Sequence, residues 1–323
     1  MKRILIIILL SQIFIPALGF TDNTYIRKEL IKFSWGKGPY QLGTNYFEFY
    51  DESGEYIDEP GAGSHVWGPT GIKVDRQGSI IIKDELNSLL VKYDRNGRFI
   101  KSITSEVGDS GVMAFDSKNN LYIERHGSMI KRFDNNLKFL NVINYGPYNF
   151  QPHQMWINEA DGIILLWNRG TITEVDYEKP GIYKKISEDQ GYEIKYSRQI
   201  KIYNEKTDPA DSCKLIDMTL NLPISKMIFK TDDLNWFPDY ITEKQSQVFL
   251  VVTKSDPKGN YRTYLVKYDY QGKVLSEILL DKDERLYFSQ EDKTFIDIDE
   301  DLNIYHLWIT KQGSRLVKWK YQK

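Results

Sequence analysis

A single β-hairpin is written five times along this chain. Gly71–Asp75 precedes Ile80–Ile82, Val112–Asp116 precedes Leu121–Ile123, Met155–Asn158 precedes Ile163–Leu165, Tyr240–Glu243 precedes Val248–Leu250, and Ile296–Asp299 precedes Ile304–His306. In every copy the polar residue closing the first apolar run stands five positions before the next run. A fixed offset of that kind predicts a tight turn. The leading Asp, Asn or Glu accepts backbone N–H bonds, and Gly78, Asn119 or Gly162 supplies left-handed backbone angles. Asp75, Asp116 and Asp299 are therefore read as turn residues ahead of any metal-binding or catalytic role.

The copies keep a period. Asp75, Asp116 and Asn158 follow one another at about 40 residues, Glu243 comes after about twice that distance, and Asp299 after a longer single interval. The double interval holds a degenerate unit in 196–231, with Gln199–Asn204, Lys214–Met218 and Lys226–Phe229 as its strands. Lys254–Asn260, read as a polar loop, and 281–290 lengthen the last interval. Each hairpin is followed by a second signature, as in Lys92-Tyr93-Asp94, Arg132-Phe133-Asp134, Glu174-Val175-Asp176 and Lys267-Tyr268-Asp269, which introduces a third and a fourth strand. No long stretch past the N-terminus keeps apolar residues at helical spacing, so the fold class is all-β. Four strands in about 42 residues is the measure of a propeller blade. A β-sandwich has many short strands but no reason to repeat one hairpin at a fixed period.

These units resemble NHL-type and TolB-like six-bladed propellers. The pattern carrying the likeness is Pro, apolar strand, Asp-x-x-Gly, apolar strand, then aromatic-Asp-x-x-Gly, and Pro69 to Gly78 matches it closely. Trp35-Gly36-Lys37-Gly38-Pro39-Tyr40 is similar to the glycine-rich connector between such blades. The likeness is clear over 67–183, weaker over 235–323 and poor over 184–234. First strands near 71, 111, 153, 197, 238 and 294 give six blades, with seven as the alternative. The last unit ends after Arg315–Tyr321 without a fourth strand, so the N-terminal segment Tyr25–Ser34 is expected to pair there and close the ring, removing open edges. Residues 45–58 read either as an inserted hairpin or as part of a seventh blade.

The start of the chain carries a different message. Met1-Lys2-Arg3, the apolar run Ile4–Ile15, Pro16 and the small-residue stretch Ala17-Leu18-Gly19 follow the order of a signal peptide, with cleavage expected after Gly19. An uncleaved anchor is the competing reading, but the run is short for a span of about 20 residues and is broken by Ser11, Gln12 and Pro16. Phe20 stands where a lipoprotein would need cysteine. The expectation is a 1–19 signal peptide and one propeller domain over 20–323, placed outside the cytoplasm, in a periplasm or secreted, as a monomer with no stable membrane span after cleavage.

Cys213 is the only cysteine, so no internal disulfide can staple the fold; it opens the apolar run Cys213–Ile216 and is read as a buried thiol of a strand. Burial must hold the chain together, and 41% hydrophobic residues supply the material. A formal charge of −2 with no basic cluster argues against a sequence-independent grip on nucleic acid. Neither Gly-x-Ser-x-Gly nor His-Glu-x-x-His occurs, and no glycine loop leads from a strand into a helix, which disfavours the usual phosphate-cradling and zinc-protease chemistries.

Three loops leading into first strands are unusual: His65-Val66-Trp67-Gly68-Pro69, Tyr148-Asn149-Phe150-Gln151-Pro152-His153 and Asn235-Trp236-Phe237-Pro238-Asp239. Each sets an aromatic residue shortly before a proline. One reading is a pocket at the channel mouth, with Trp67, Tyr148 and Trp236 as stacking surfaces and His65, His153 and Asp239 as polar contacts. The other is structural: each proline shapes a strand entrance while each aromatic packs between blades. The function expected is a non-catalytic binding or scaffold module that recognises a protein, peptide or glycan at its channel face. The alternative is a metal-dependent hydrolase or lyase resembling the gluconolactonase and amidating-lyase propellers. Its support is His65, His153 and Asp239; zinc wants three or four converging ligands, and no cofactor or metal is assigned. His126 is placed in an outer turn and His306 in a strand of the last unit.

Overall fold

The computed structural model describes residues 25–44, 68–104, 112–125, 129–145, 152, 154–158, 162–168, 171–176, 183–186, 200–204, 212–217, 222–228, 240–245, 247–255, 261–269, 274–280, 295–310 and 312–322. Every regular element among them is a β-strand. The readings made for 1–24, for 45–58 and for His126 lie outside the described residues. No helix among the described residues is long and apolar enough to cross a membrane.

The hairpins stand where their spacing put them. After β1 (Tyr25–Trp35) and β2 (Gln41–Leu42), the strands β3 (Pro69–Val74), β4 (Ile80–Asp84), β5 (Leu89–Tyr93) and β6 (Phe99–Thr104) form one antiparallel meander. The same order repeats in β7 (Met113–Phe115), β8 (Leu121–Arg125), β9 (Met129–Phe133) and β10 (Phe139–Asn144), and again in β11 (Gln154–Asn158), β12 (Ile163–Asn168), β13 (Thr171–Asp176) and β14 (Tyr183–Ile186). A three-stranded sheet follows in β15 (Ile200–Asn204), β16 (Ser212–Asp217) and β17 (Leu222–Ile228), which places Cys213 in a strand as read. Next come β18 (Tyr240–Lys244), β19 (Gln247–Ser255), β20 (Tyr261–Asp269) and β21 (Val274–Leu279), and then β22 (Ile296–Ile298), β23 (Ile304–Thr310) and β24 (Gly313–Tyr321). The last sheet takes its fourth strand from the other end of the chain. β1 pairs antiparallel with β24, from Tyr25 opposite Tyr321 to Phe33 opposite Ser314, and β2 adds a short parallel pairing outside it.

Two strand boundaries differ from the sequence reading. Lys254 and Ser255 belong to β19, because Arg262 and Tyr261 continue the ladder opposite them; only 256–260 remain between the strands. β17 begins at Leu222 rather than Lys226 and carries Pro223. That proline is tolerated because β17 is the edge strand of its sheet among the described residues and the register slips beside it, between Leu215 and Ile216.

Successive residues of a strand face opposite sides, and here the two sides feed two different cores. In β4, Ile80 and Ile82 join Tyr305, Leu307, Leu316 and Phe33 of the last sheet, whereas Ile81 joins Met113, Leu121 and Ile123 of the next sheet. Tyr122 and Ala114 in turn meet Met155, and Phe249 and Val251 meet Ile296, Ile298 and Ile304. The hydrophobic core is thus a series of seams between neighbouring sheets. First strands approach one another along the series: β18 meets β22, β22 meets β3, β3 meets β7, and β7 meets β11. Short sheets stacked face to face with their first strands gathered together are the build of a β-propeller.

Gly313 opens β24 at φ 141°. A Cβ there would lie against the backbone carbonyl of Phe33 on β1, which cannot move without breaking the ladder. Gly313→Ala is expected to cost about 2–4 kcal/mol, read as a lower midpoint in urea and faster proteolysis near the N-terminus.

Candidate functional site

The acids that repeat in the sequence are structural. Asp75 Oδ1 accepts the N–H groups of Gln77 and Ser79 at 2.9 and 2.7 Å. Asp116 Oδ1 does the same for Lys118 and Asn120 at 2.9 and 2.8 Å, and Asp299 Oδ1 for Asp301 and Asn303 at 3.0 and 2.9 Å. Gly78, Asn119 and Gly162 take the left-handed backbone expected of them. The second turns copy the device: Asp94 Oδ1 accepts from Asn96 and Arg98, and Asp134 Oδ1 from Asn136 and Lys138, all at 2.8 to 2.9 Å.

What the sequence reading missed is a cation behind three of the first turns. At Asp75 and Asp116 the basic residue before the aromatic of the second signature lies beside the turn acid's other oxygen, and at Asp299 Lys318, just before Trp319, takes that place. Lys92 Nζ stands 3.5 Å from Asp75 Oδ2, Arg132 Nη2 3.4 Å from Asp116 Oδ2, and Lys318 Nζ 3.9 Å from Asp299 Oδ2. In the last sheet a phenol is inserted: Lys318 donates to Tyr305 Oη at 2.6 Å, and Tyr305 donates to Asp299 Oδ2 at 3.0 Å. Burial, reinforced by Asp299, pushes the Tyr305 phenol well above its ordinary range, so it remains a donor. Burial also pulls the Lys318 ammonium down, against the pull of Asp299. The signal was present in the repeated basic-aromatic-Asp string, whose aromatic members Tyr93, Phe133 and Tyr268 are buried.

Turns of adjacent sheets also interlock. Asn119 Oδ1 accepts from Arg76 N at 3.2 Å and its amide donates to Gln77. Lys92 donates to Asn135 O and Oδ1 at 2.7 and 2.8 Å, and Gln245 and Lys244 donate to Glu300. The first and second turns therefore share one end of the stack. The opposite end receives the chain as it enters each first strand.

At that entry end the described residues include two buried carboxyl groups. Glu124, near the end of β8, accepts the Tyr145 hydroxyl at 2.7 Å just past the end of β10. Burial, and then the Glu124 carboxylate, push the Tyr145 phenol far above its ordinary range, which keeps it protonated and donating. Asp84 ends β4 and accepts Gly43 N at 2.9 Å and Asn87 Nδ2 at 2.7 Å; Asn87 also donates to Gly36 O at 2.7 Å. Burial raises the Asp84 carboxyl, opposed by those bonds. Tyr93 Oη donates to Pro39 O at 2.7 Å, and Gln41 Oε1 accepts from Lys37 N and Gly38 N. Asp84, Asn87 and Tyr93 thereby pin the glycine-rich connector and Gly43 onto the first sheet, while Gln41 braces the connector from within. These groups hold loop ends in place.

The six residues read as ligand contacts, His65, Trp67, Tyr148, His153, Trp236 and Asp239, all lie outside the described residues. The strands they lead into are described: β3 after Trp67, β11 after His153 and β18 after Asp239, each the first strand of its sheet, with Pro69 and Pro152 buried at two of the entrances. His306 lies in β23, as read, and is buried. Among the described residues no three His, Cys, Asp or Glu side chains are grouped to hold a metal ion.

No family model matches the sequence, and no curated protein matches it. Solved structures do resemble it. The WD40 repeats of RRP9 are 9% identical with a TM-score of 0.51, covering 79% of this chain and 94% of that one. U3-55K is 9% identical with a TM-score of 0.51 over 78% of this chain and 95% of that one. Virginiamycin B lyase from Staphylococcus aureus is 10% identical with a TM-score of 0.49 over 79% and 95%. At these identities the likeness is one of fold, and the fold is an all-β propeller.

Proposed function

We propose that this chain is an exported, single-domain propeller of the NHL or TolB-like kind, acting as a non-catalytic module that recognises a protein, peptide or glycan at the entry end of its channel. Six blades account for the six sheets among the described residues. The pairing of β1 with β24 supports closure of the ring by the N-terminal strand. The observation that carries the reading is positional. Three aromatic- and proline-bearing loops lead into the first strands of three different sheets, β3, β11 and β18, so their side chains have a common end of the stack on which to converge. Aromatic faces with few fixed charges suit stacking on sugars, prolines or other aromatic groups. Glu124, Tyr145 and Asp84 lend that end rigid loop anchors. The reading places the mature protein, beginning at Phe20, outside the cytoplasm as a monomer.

The test is capture from an envelope extract by the mature protein and by the Trp67→Ala/Trp236→Ala variant. Recovery of a specific component is expected to fall by about tenfold or more in the variant, as for aromatic hot spots, with the melting temperature unchanged. Equal recovery by both proteins would count against the entry end as the binding face. Metal analysis of the purified protein separates the hydrolase or lyase alternative: a stoichiometric divalent ion lost from a His65→Ala/His153→Ala variant would favour that reading instead.

A further inference from the structure

The turn at Asp94 differs from its copies in one dipeptide. Asn96-Gly97 is the only Asn-Gly in the sequence, and it stands between β5 and β6, at the tip of the second turn of the first sheet. Asn96 is exposed, while Gly97, at φ 83°, is buried. A Cβ on Gly97 would lie 2.8 Å from Ile31 Cγ1 and 3.1 Å from the Leu30 carbonyl oxygen, both on β1, so the glycine occupies a seat with no spare room. β1 is the strand that joins the N-terminal part of the chain to β24. A chemically labile dipeptide thus rests on the joint between the two ends of the chain.

An asparagine amide is open to attack by the backbone nitrogen that follows it. Glycine, with no side chain, leaves that nitrogen least hindered and its backbone most free to turn. In the folded turn the Asn96 N–H donates to Asp94 Oδ1 at 2.8 Å and the Gly97 N–H to the Asp94 carbonyl at 3.0 Å. Only the second of these bonds must break to free the nitrogen, and it lies at the tip of a loop, where local opening is easiest. The second sheet holds the same turn with one change. Asn136 N donates to Asp134 Oδ1 at 2.8 Å and Leu137 N to the Asp134 carbonyl at 2.9 Å, but the residue after asparagine is Leu137, whose side chain is buried in a seam between sheets. Bulk beside the nitrogen and an anchored side chain both oppose the attack there.

We propose that Asn96-Gly97 is a site of spontaneous isoaspartate formation whose product loosens the seat of this turn on β1. The Gly97 nitrogen bonds to Asn96 Cγ, the Cγ–Nδ2 bond breaks, and Nδ2 leaves as ammonia with the proton of the Gly97 N–H. Water then opens the five-membered imide at one of its two carbonyls, giving aspartate or isoaspartate, and water is the only co-reactant. In isoaspartate the chain runs through Cβ and Cγ, which lengthens it by one carbon–carbon bond of about 1.5 Å. Gly97 cannot take up that length against Ile31 and the Leu30 carbonyl. The new carboxylate itself is accommodated, because residue 96 is exposed and flanked by the exposed Arg95 and Arg98. This inference rests on the turn and its contact with β1, and is independent of what the entry loops bind.

Incubation of the mature protein in mildly alkaline buffer, followed by peptide mapping, tests it. Residue 96 is expected to gain about 1 Da, with isoaspartate among the products, at a rate about tenfold below that of a synthetic 91–101 peptide, the slowing that one turn hydrogen bond imposes. Asn136 is expected to stay intact over the same period, and the Asn96→Gln variant to show no gain at 96. Ion exchange then isolates the isoaspartate-bearing protein, whose melting temperature is expected to lie about 2–4 °C below that of Asn96→Asp, a variant with the same charge and an unlengthened backbone. An Asn96 that stays intact in the protein while the peptide converts, or an Asn136 that converts as fast as Asn96, would overturn the site. A modified fraction that melts with Asn96→Asp would overturn its action on β1. Each of these results leaves the entry-end reading as it stands.

Discussion

A chain that begins at Gly36, and so lacks β1, is expected to lose its cooperative unfolding transition and to aggregate when expressed. β1 contributes Phe33 and Ile31, which are 0% and 5% exposed, to the core between the last and first sheets. Burial of two such side chains is worth about 3–6 kcal/mol. That is comparable with the whole stability of an ordinary domain, about 5–15 kcal/mol. Loss of β1 also uncovers the ladder edge of β24 from Ser314 to Tyr321, a strand of nine residues, and an open edge of that length is a template for pairing with other chains. The ladder shifts register between Glu29 and Ile31, and the turn at Gly97 packs against the strand there, with Ile31 and the Leu30 carbonyl where a Cβ of residue 97 would sit. Thermal scans, denaturant titrations and light scattering of the two chains decide the matter. A β1-less protein melting within about 2 °C of the parent would show that the N-terminal strand is an accessory and would remove the basis for a closed ring. Rescue by a synthetic Tyr25–Trp35 peptide added in trans would establish that the loss arises from the strand itself.

The hairpins were legible because they depend on local chemistry. An Asp that accepts two N–H groups within four residues, and a residue at positive φ just after it, leave the same mark wherever they occur. Even the exceptions show this. Leu302 and Leu137 adopt φ of 64° and 55° at the position that Gly78 and Gly97 fill elsewhere, and both side chains are buried in seams between sheets. Packing there outweighs the left-handed penalty, so the turn persists without its glycine. The seams themselves were not legible. That Ile81 serves one core while Ile80 and Ile82 serve another follows from stacking, which no spacing announces. The cations behind the turn acids sit about 16 to 19 residues away across two strands. The string containing them could be recognised, but its partner could not. Likewise Glu124 and Tyr145 are separated by 21 residues and meet only because β9 and β10 fold back. The candidate ligand contacts were read from aromatic, proline and histidine residues visible in the sequence, and they lie outside the described residues.

Asp297→Ala is expected to weaken the joint between the two ends of the chain more than any other single side-chain truncation on the first strands. Asp297 sits in β22 and is 4% exposed. One oxygen accepts the backbone N–H of Val74 at 2.7 Å and the other pairs with Lys73 Nζ at 2.9 Å, both on β3, so one carboxylate joins the first strand of the last sheet to that of the first. Truncation deprives the Val74 N–H of its acceptor in a buried place and removes the counter-charge of a mostly buried ammonium; the loss expected is about 2–4 kcal/mol. The Lys73 side chain keeps 19% exposure, so water relieves part of the electrostatic cost and the hydrogen bond to Val74 carries the larger share. Asp297→Asn tests that division, because its amide oxygen can still accept from Val74 while the charge is gone. It should cost less than half as much as the alanine variant. Lys73→Met combined with each substitution completes a double-mutant cycle, with a coupling of about 1 kcal/mol expected for the ion pair. If Asp297→Asn proved as damaging as Asp297→Ala, the charge pair would be the joint and the backbone bond incidental. If neither variant moved the denaturation midpoint, the contact between β22 and β3 would not hold the stack together, and the sheets would have to be held by their hydrophobic seams alone.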